Sequence, residues 1–227
     1  AIGSPYINRN GYYNAGHVRV YDFNGSTWNK VGGDINDWGG NNTYAGNSVA
    51  ISKDGTRIAI GAGFSGKGAR VYERDISNTT YSPIGWRLVG ARQAGVSDSS
   101  TGYTINGETT GDRSGWSVAM DGNGTIIAIG APYNDGGGSD SGHVRVYQHR
   151  EYTQNDEDNN IYHYGSVEQG VTNLKPLIIT GNNAVAPMVG NSYWTQLGWD
   201  INGKTVNDHG HFGRSIAMSN DCLLYTS

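Results

Sequence analysis

A chain of 227 residues with 36 glycines, five prolines, a single cysteine and a formal net charge of -4 has room for a sizeable core, and with glycine included its apolar share approaches that of ordinary globular domains. Lysine and arginine are scattered singly, which excludes the basic footprint of a nucleic-acid binder, and no run approaches the ~18 apolar residues of a membrane helix. Cys222 alone cannot close a disulfide within the chain.

The elements are read in chain order. Ala1-Ile2-Gly3-Ser4 opens as a strand, and a loop over 6–14 leads to Gly16-His17-Val18-Arg19-Val20-Tyr21, whose valines sit at the two-residue pleat period. Asn24-Gly25-Ser26 is a hairpin signal before a strand anchored by Trp28. A strand of a new type follows at Gly46-Asn47-Ser48-Val49-Ala50-Ile51, and Asp54-Gly55 turns it back into Ile58-Ala59-Ile60-Gly61. The pattern then recurs as Gly68-Ala69-Arg70-Val71-Tyr72 and Trp86, again as Gly115-Trp116-Ser117-Val118-Ala119, Ile127-Ala128-Ile129-Gly130, Gly142-His143-Val144-Arg145-Val146-Tyr147 and Trp194, and finally as Gly213-Arg214-Ser215-Ile216-Ala217. Strand order is the same each time, so the chain is a repeat protein with insertions of varying length. Glycine without a three-residue period fits short strands joined by tight turns.

Four strands in an up-and-down meander describe one blade of a β-propeller, and alanine between the larger apolar residues suits sheets covered on both faces. The expected fold is therefore all-β, with about three blade equivalents of a larger or assembled propeller: a partial blade over 1–44 (strands two to four), full blades over 45–114 and 115–211, and the first strand of a next blade over 212–227. Known propellers have ~4 to 8 blades, so the open ends are expected to be covered by the rest of the protein or by other chains. Residues 149–193 form a long insertion with apolar Leu177-Ile178-Ile179 and Val185-Ala186-Pro187, expected to add a β-hairpin that packs on a neighbour. After Asp221 the repeat calls for glycine and a second strand. Cys222 to Ser227 reads instead like translated adapter sequence and is expected not to be native.

Phe212-Gly213 at the start of a first strand and Gly130-Ala131-Pro132 at the end of a second resemble FG-GAP repeats, the blades of the integrin α-chain propeller. Ala45 and Ser114 stand where the other copies would have phenylalanine, and Ser4-Pro5 and Ala62-Gly63 replace Ala-Pro. In integrin-like propellers the face that carries the loops between second and third strands takes ligands. The resemblance thus implies a ligand face at Tyr6, Asn8, Asn10, Tyr12, Tyr13, Phe64, Lys67, Tyr133, Asn134, Asp135 and Asp140. Cation-binding blades of that family carry an Asp-rich loop between first and second strands, since Ca²⁺ wants six to eight oxygens. Here that link shrinks to Ser52-Lys53-Asp54-Gly55 or Asp121-Gly122-Asn123-Gly124, so no cofactor or metal is carried over. Asn134, Asp135 and Asp140 are the remaining oxygen donors for calcium, on a Gly136-Gly137-Gly138 loop that is entropically costly to order.

Asp208, His209 and His211 lack further ligands in sight, and His17 and His143 share a repeat position, which favours a structural role. Trp28, Trp86 and Trp194 share another and read as packing, leaving Trp38, Trp116, Trp199, Tyr12 and Tyr13 as freer rings for sugar stacking. Asn24, Asn41, Asn78 and Asn123 are glycosylation acceptors by sequence. No nucleophile elbow, Ser/His/Asp order or phosphate cradle appears, so no enzyme is expected. The expected function is an extracellular or cell-surface structural and adhesion module, a rigid propeller scaffold for protein–protein assembly in a filament or surface layer. Its partners are other protein subunits or the rest of its own chain, with no nucleic acid and no direct membrane insertion. A glycan-binding propeller lectin is the alternative, and a hydrolase on the same fold the lesser one.

Overall fold

Where branched residues alternate with alanine, as in Ile58-Ala59-Ile60 and Ile127-Ala128-Ile129, successive side chains point to opposite faces of an extended backbone, and in the computed structural model these segments lie in antiparallel sheets. The structure describes residues 1–9, 11–36, 38–90, 104–151, 153–154, 178–180, 183–185, 192–204, 210–221 and 224–226. A three-stranded sheet joins β1 (Ile2–Ser4), β2 (His17–Phe23) and β3 (Trp28–Ile35) in sequence order. The next has four, β4 (Ser48–Ile51), β5 (Arg57–Gly61), β6 (Ala69–Arg74) and β7 (Trp86–Val89), again in sequence order. In the third, β8 (Ser117–Met120), β9 (Ile126–Ala131) and β10 (His143–Glu151) are followed by the insertion, which contains a hairpin of β11 (Ile178–Thr180) and β12 (Asn183–Val185). What that hairpin packs against lies outside the described residues. β13 (Ser192–Gln196) then completes the meander beside β10, with the short β14 (Ile201–Asn202) pairing the other end of β10.

A last pair, β15 (Ile216–Met218) and β16 (Leu224–Thr226), repeats the start of a blade. Leu224 lies opposite Met218, as Ile127 lies opposite Met120. The ending that departs from the repeat in sequence thus takes the second-strand register, and Leu224 packs against Ala119, Ala128 and Val144. Cys222, Leu223 and Ser227 lie outside the described residues. The protein is therefore all-β, built of propeller-blade meanders, and no helix among the described residues is long and apolar enough to cross a membrane.

The sheets stack face to face through three apolar clusters, each shared by neighbours. Val18, Val20 and Ile35 meet Ile58, Ile60 and Trp86; Ala59, Val71 and Val89 meet Val118, Ile127 and Ile129; Ala119, Ala128 and Val144 meet Ile216 and Met218. In the second strands β5 and β9 the isoleucines Ile58, Ile60, Ile127 and Ile129 face the preceding blade, whereas Ala59 and Ala128 face the following one. The asymmetry lets one blade's bulk settle against the next blade's thin side without a void.

Two devices fix the spacing between blades. At the inner edge, where β4, β8 and β15 stand side by side, the glycine that ends each second strand touches the glycine that begins the next first strand. A Cβ on Gly3, Gly61 or Gly130 would lie 1.9, 2.2 or 2.0 Å from the carbonyl oxygen of Gly46, Gly115 or Gly213. Those three acceptors have φ of +87°, +86° and +81°, which glycine tolerates. Ser48 and Ser117 donate from Oγ to the carbonyls of Gly115 and Gly213 at 3.0 and 2.6 Å. At the outer edge, the indole N–H of Trp86 donates to Val31 and that of Trp194 to Val89, each acceptor three residues past the preceding blade's tryptophan. The glycines that begin the first strands and end the second strands, and the recurrent tryptophan, are thus the two ends of one repeated blade-to-blade contact.

Candidate functional site

Each first strand is entered through the same turn. Tyr44, Arg113 and His211, two residues ahead of the entry glycine, have φ of +53°, +55° and +47°, and each accepts at its carbonyl from the N–H three residues on, that of Asn47, Trp116 and Arg214. A left-handed residue there turns its side chain outward, at a backbone cost the surrounding structure must cover. Three residues past each second-strand glycine stand Tyr6, Phe64 and Tyr133. The two sets interleave across the blade boundaries, with Trp116, one residue past Gly115, supplying the ring at the entry turn where Arg113 has none.

The result is a continuous line of rings: Tyr6 to Tyr44 at 5.6 Å between centroids, Tyr44 to Phe64 at 5.4 Å, Phe64 to Trp116 at 4.7 Å, Trp116 to Tyr133 at 6.0 Å and Tyr133 to His211 at 4.5 Å. All are tilted or edge-on, the orientations that the ring quadrupole favours. Three cation–π contacts join this line: Arg113 lies 4.3 Å over Tyr133 and 5.5 Å from Trp116, and Arg214 lies 5.8 Å from Trp116. An open pocket borders it, lined by Trp116, Gly210, His211, Arg214 and Ser215.

Polar groups beneath hold the rim in place. Asp112, buried under Arg113, accepts from Asn134 Nδ2 at 2.8 Å and from the amide and hydroxyl of Thr109. Asn134 Nδ2 also donates to Glu108, and Glu108 pairs with Arg145, which grips Asp200 with two bonds of 2.8 and 2.7 Å. Burial pushes the Asp200 carboxyl up, but the Arg145 guanidinium outweighs it and the group titrates below its ordinary value. A similar constellation stands two blades earlier, where Arg9, Arg19 and Lys30 converge on Asp34. The bond from Arg19 above all holds that carboxyl far below the usual range. His143 and His17 sit at equivalent places in the two clusters, each with a buried Nδ1 that has no hydrogen-bond partner among the described residues, and burial lowers the pKa of both.

Glu108, His143 and Asp200 offer ligand atoms within 4.8 Å of one another. Arg145 already bridges both carboxylates, so a guanidinium occupies the place a metal cation would take. The shortened turn links likewise use their own carboxylates: Asp121 accepts from the amides of Thr125 and Ile126, and Asp54 from the hydroxyls of Ser52 and Thr56 and the Thr56 amide. These bonds hold the Asp54 carboxyl down to about 2.

Of the residues expected on the ligand face, Tyr6, Phe64 and Tyr133 are brought together in the rim. Asn8 accepts from the Asn14 amide, Tyr12 and Tyr13 stand exposed beyond it, and Asn10 lies outside the described residues. Lys67 reaches toward Gly40 across a blade boundary. Asn134 and Asp135 serve as loop closers: Asn134 Oδ1 accepts from Gly136 and Asp135 Oδ1 from the Asp140 amide. Asp208 and His209 lie outside the described residues, whereas His211, met in the sequence as a possible ligand, belongs to the ring line. Trp38 is not a free ring for sugar, because it is buried with Arg70 4.5 Å over its face. Tyr44, Arg113 and Arg214 escape a reading by residue type, since the repeated positions hold different side chains. Their fixed offsets from the entry glycine, two residues ahead for Tyr44 and Arg113 and one after for Arg214, are the signal that marks them.

Among the glycosylation acceptors, Asn24, Asn41 and Asn123 are exposed. Asn78 turns its Nδ2 toward the carbonyls of Tyr81, Pro83 and Trp86, bonds that a glycan on that nitrogen would disrupt. On the face opposite the rim, a second open pocket lies between two blades, with Arg57 bonded to Glu73 and the His149 ring tilted against Trp194 at 5.2 Å between centroids. Burial, and then the Arg57 charge, lower the His149 pKa to about 4.

Residues 106–147, which span β8, β9 and the start of β10 with the link that bears Glu108, Asp112 and Arg113, match the family model described as an FG-GAP repeat. No curated protein matches the chain.

Proposed function

We propose that this chain, an FG-GAP repeat protein of stacked propeller blades, is an extracellular or cell-surface scaffold and adhesion module that engages other proteins through its aromatic rim. One observation supports the reading above the rest: a line of rings crosses successive blade boundaries from positions that the repeat itself dictates. Tyrosine, tryptophan and arginine are the residues that concentrate binding energy in protein interfaces. Seated on blades locked by glycine contacts, they lose little conformational freedom when a partner docks. The rim rings already lean on each other and on Arg113, which suits interdigitating side chains better than flat sugar rings. No catalysis is required: of the close titratable cluster of Glu108, His143 and Asp200, both carboxylates are committed to Arg145.

The test is selection of a random displayed-peptide library on the immobilised chain. Peptides recovered on the wild type are expected to lose binding to a Tyr6→Ala/Phe64→Ala double variant and to keep it when Thr56 and Asn123, on the opposite face, are changed to alanine. Equal binding to wild type and rim variant would reject the rim as the docking surface.

A further inference from the structure

Two guanidinium groups from successive repeats, Arg113 ahead of one entry glycine and Arg214 just after the next, converge on a single indole. Both approach Trp116, and Arg113 also covers Tyr133. Among the described residues neither guanidinium has an ion pair or a hydrogen bond, in contrast to those of Arg19, Arg57 and Arg145, which are all bound to carboxylates. The ring faces are thus supplied with cations from within the chain. What stays uncommitted is the set of planar N–H donors, and it borders the pocket of Trp116, Gly210, His211, Arg214 and Ser215. A guanidinium fork matches a carboxylate with two parallel hydrogen bonds.

Resting on the rim as a protein-docking surface, we infer that Arg113 and Arg214 over Trp116 form its anchor point and bind an Asp or Glu side chain of the partner protein. The positive spot is local, because the chain as a whole carries a net charge of -4. An acidic residue flanked by apolar ones would satisfy both arginines and cover the neighbouring rings, with no ion pair among the described residues to break first.

The test uses the full chain and fluorescence anisotropy at low salt with three labelled probes: a peptide of alternating Asp and Gly, its Asn-Gly isostere, and an oligogalacturonate. The Asp-Gly peptide is expected to bind, the isostere to bind at least tenfold more weakly, and an Arg113→Gln/Arg214→Gln double variant to weaken the acidic peptide by about thirtyfold or more. Arg113→Lys, which keeps the charge and loses the fork, should recover only part of the affinity, and thermal unfolding checks that each variant is folded. Absence of Asp-Gly binding, equal binding of the isostere, or indifference to the double variant would overturn the carboxylate anchor. Binding of the oligogalacturonate without the peptide would overturn the choice of a protein partner. Library peptides that depend on Phe64 but not on the two arginines would refute this anchor alone and leave the rim reading standing.

Discussion

The blade-to-blade glycine contact has a sharp consequence at Gly61. A Cβ there would lie 2.2 Å from the Gly115 carbonyl oxygen and 2.2 Å from Ser48 Oγ. The first obstacle is backbone, so the blades must part by about 1 Å to reach ordinary contact, and a gap of that size forfeits roughly a quarter to a half of each dispersion contact across it. The bond from Ser48 to Gly115, 3.0 Å in the native protein, would be lost at about 1 kcal/mol. Overpacking adds about 1–3 kcal/mol, so Gly61→Ala should destabilise by roughly 2–4 kcal/mol, a fall in Tm of about 5–15 °C at this chain length. Gly130→Ala should behave alike, since its Cβ would meet Gly213 at 2.0 Å. Gly111→Ala is the control: it is exposed, its nearest neighbour would be 3.7 Å away, and loss of unfolded-state freedom makes it neutral or slightly stabilising. Calorimetric or denaturant unfolding of the three variants decides. A Gly61→Ala variant within 0.5 kcal/mol of the control, roughly the spread of ordinary surface changes, would refute the claim that the glycine pair sets the blade spacing.

The outer lock predicts an asymmetry among the tryptophans. Trp194→Phe, which deletes the donor to Val89, should cost about 1 kcal/mol, whereas Trp28→Phe should cost far less because Trp28 is 67% exposed; matched chemical-denaturation midpoints would contradict it. Acid should also weaken the fold. His149, beside Arg57, Glu73 and Arg87, and His143, beside Arg145, Asp200 and Glu108, both titrate below the ordinary 6.5 through burial, His149 down to about 4. The unfolded chain binds their protons more readily, so this stability is intact above pH 6.5 and drains away as pH falls toward 4. A Tm that stays level across that window, or a slope unchanged in His149→Phe, would count against it.

The repeat, its strands and its turns were legible in the sequence because they depend on local rules: the two-residue alternation of Val and Ile, left-handed glycines at tight turns, and recurrence at fixed offsets. Tyr6, Phe64 and Tyr133 share one repeat offset, three residues past the second-strand glycine, so their grouping could be read in the same way. Arg113 and Arg214 could not, since their repeat positions hold Tyr44 and His211 in one case and Asn47 and Trp116 in the other. No residue-type pattern survives at those offsets, and only the shared left-handed turn aligns them. Trp38 was misjudged in the opposite direction, an aromatic of free appearance that Arg70 and the first cluster enclose.

By itself the amino-acid order determined the blade: which residues extend, where the chain turns, and that the sheets must be covered on both faces. The stacking of those blades decided the rest. Only when glycine meets glycine across a boundary do side chains far apart in the chain come close enough to stack, because ring and guanidinium contacts act over a few ångströms of space and carry no trace along the backbone that brings them there.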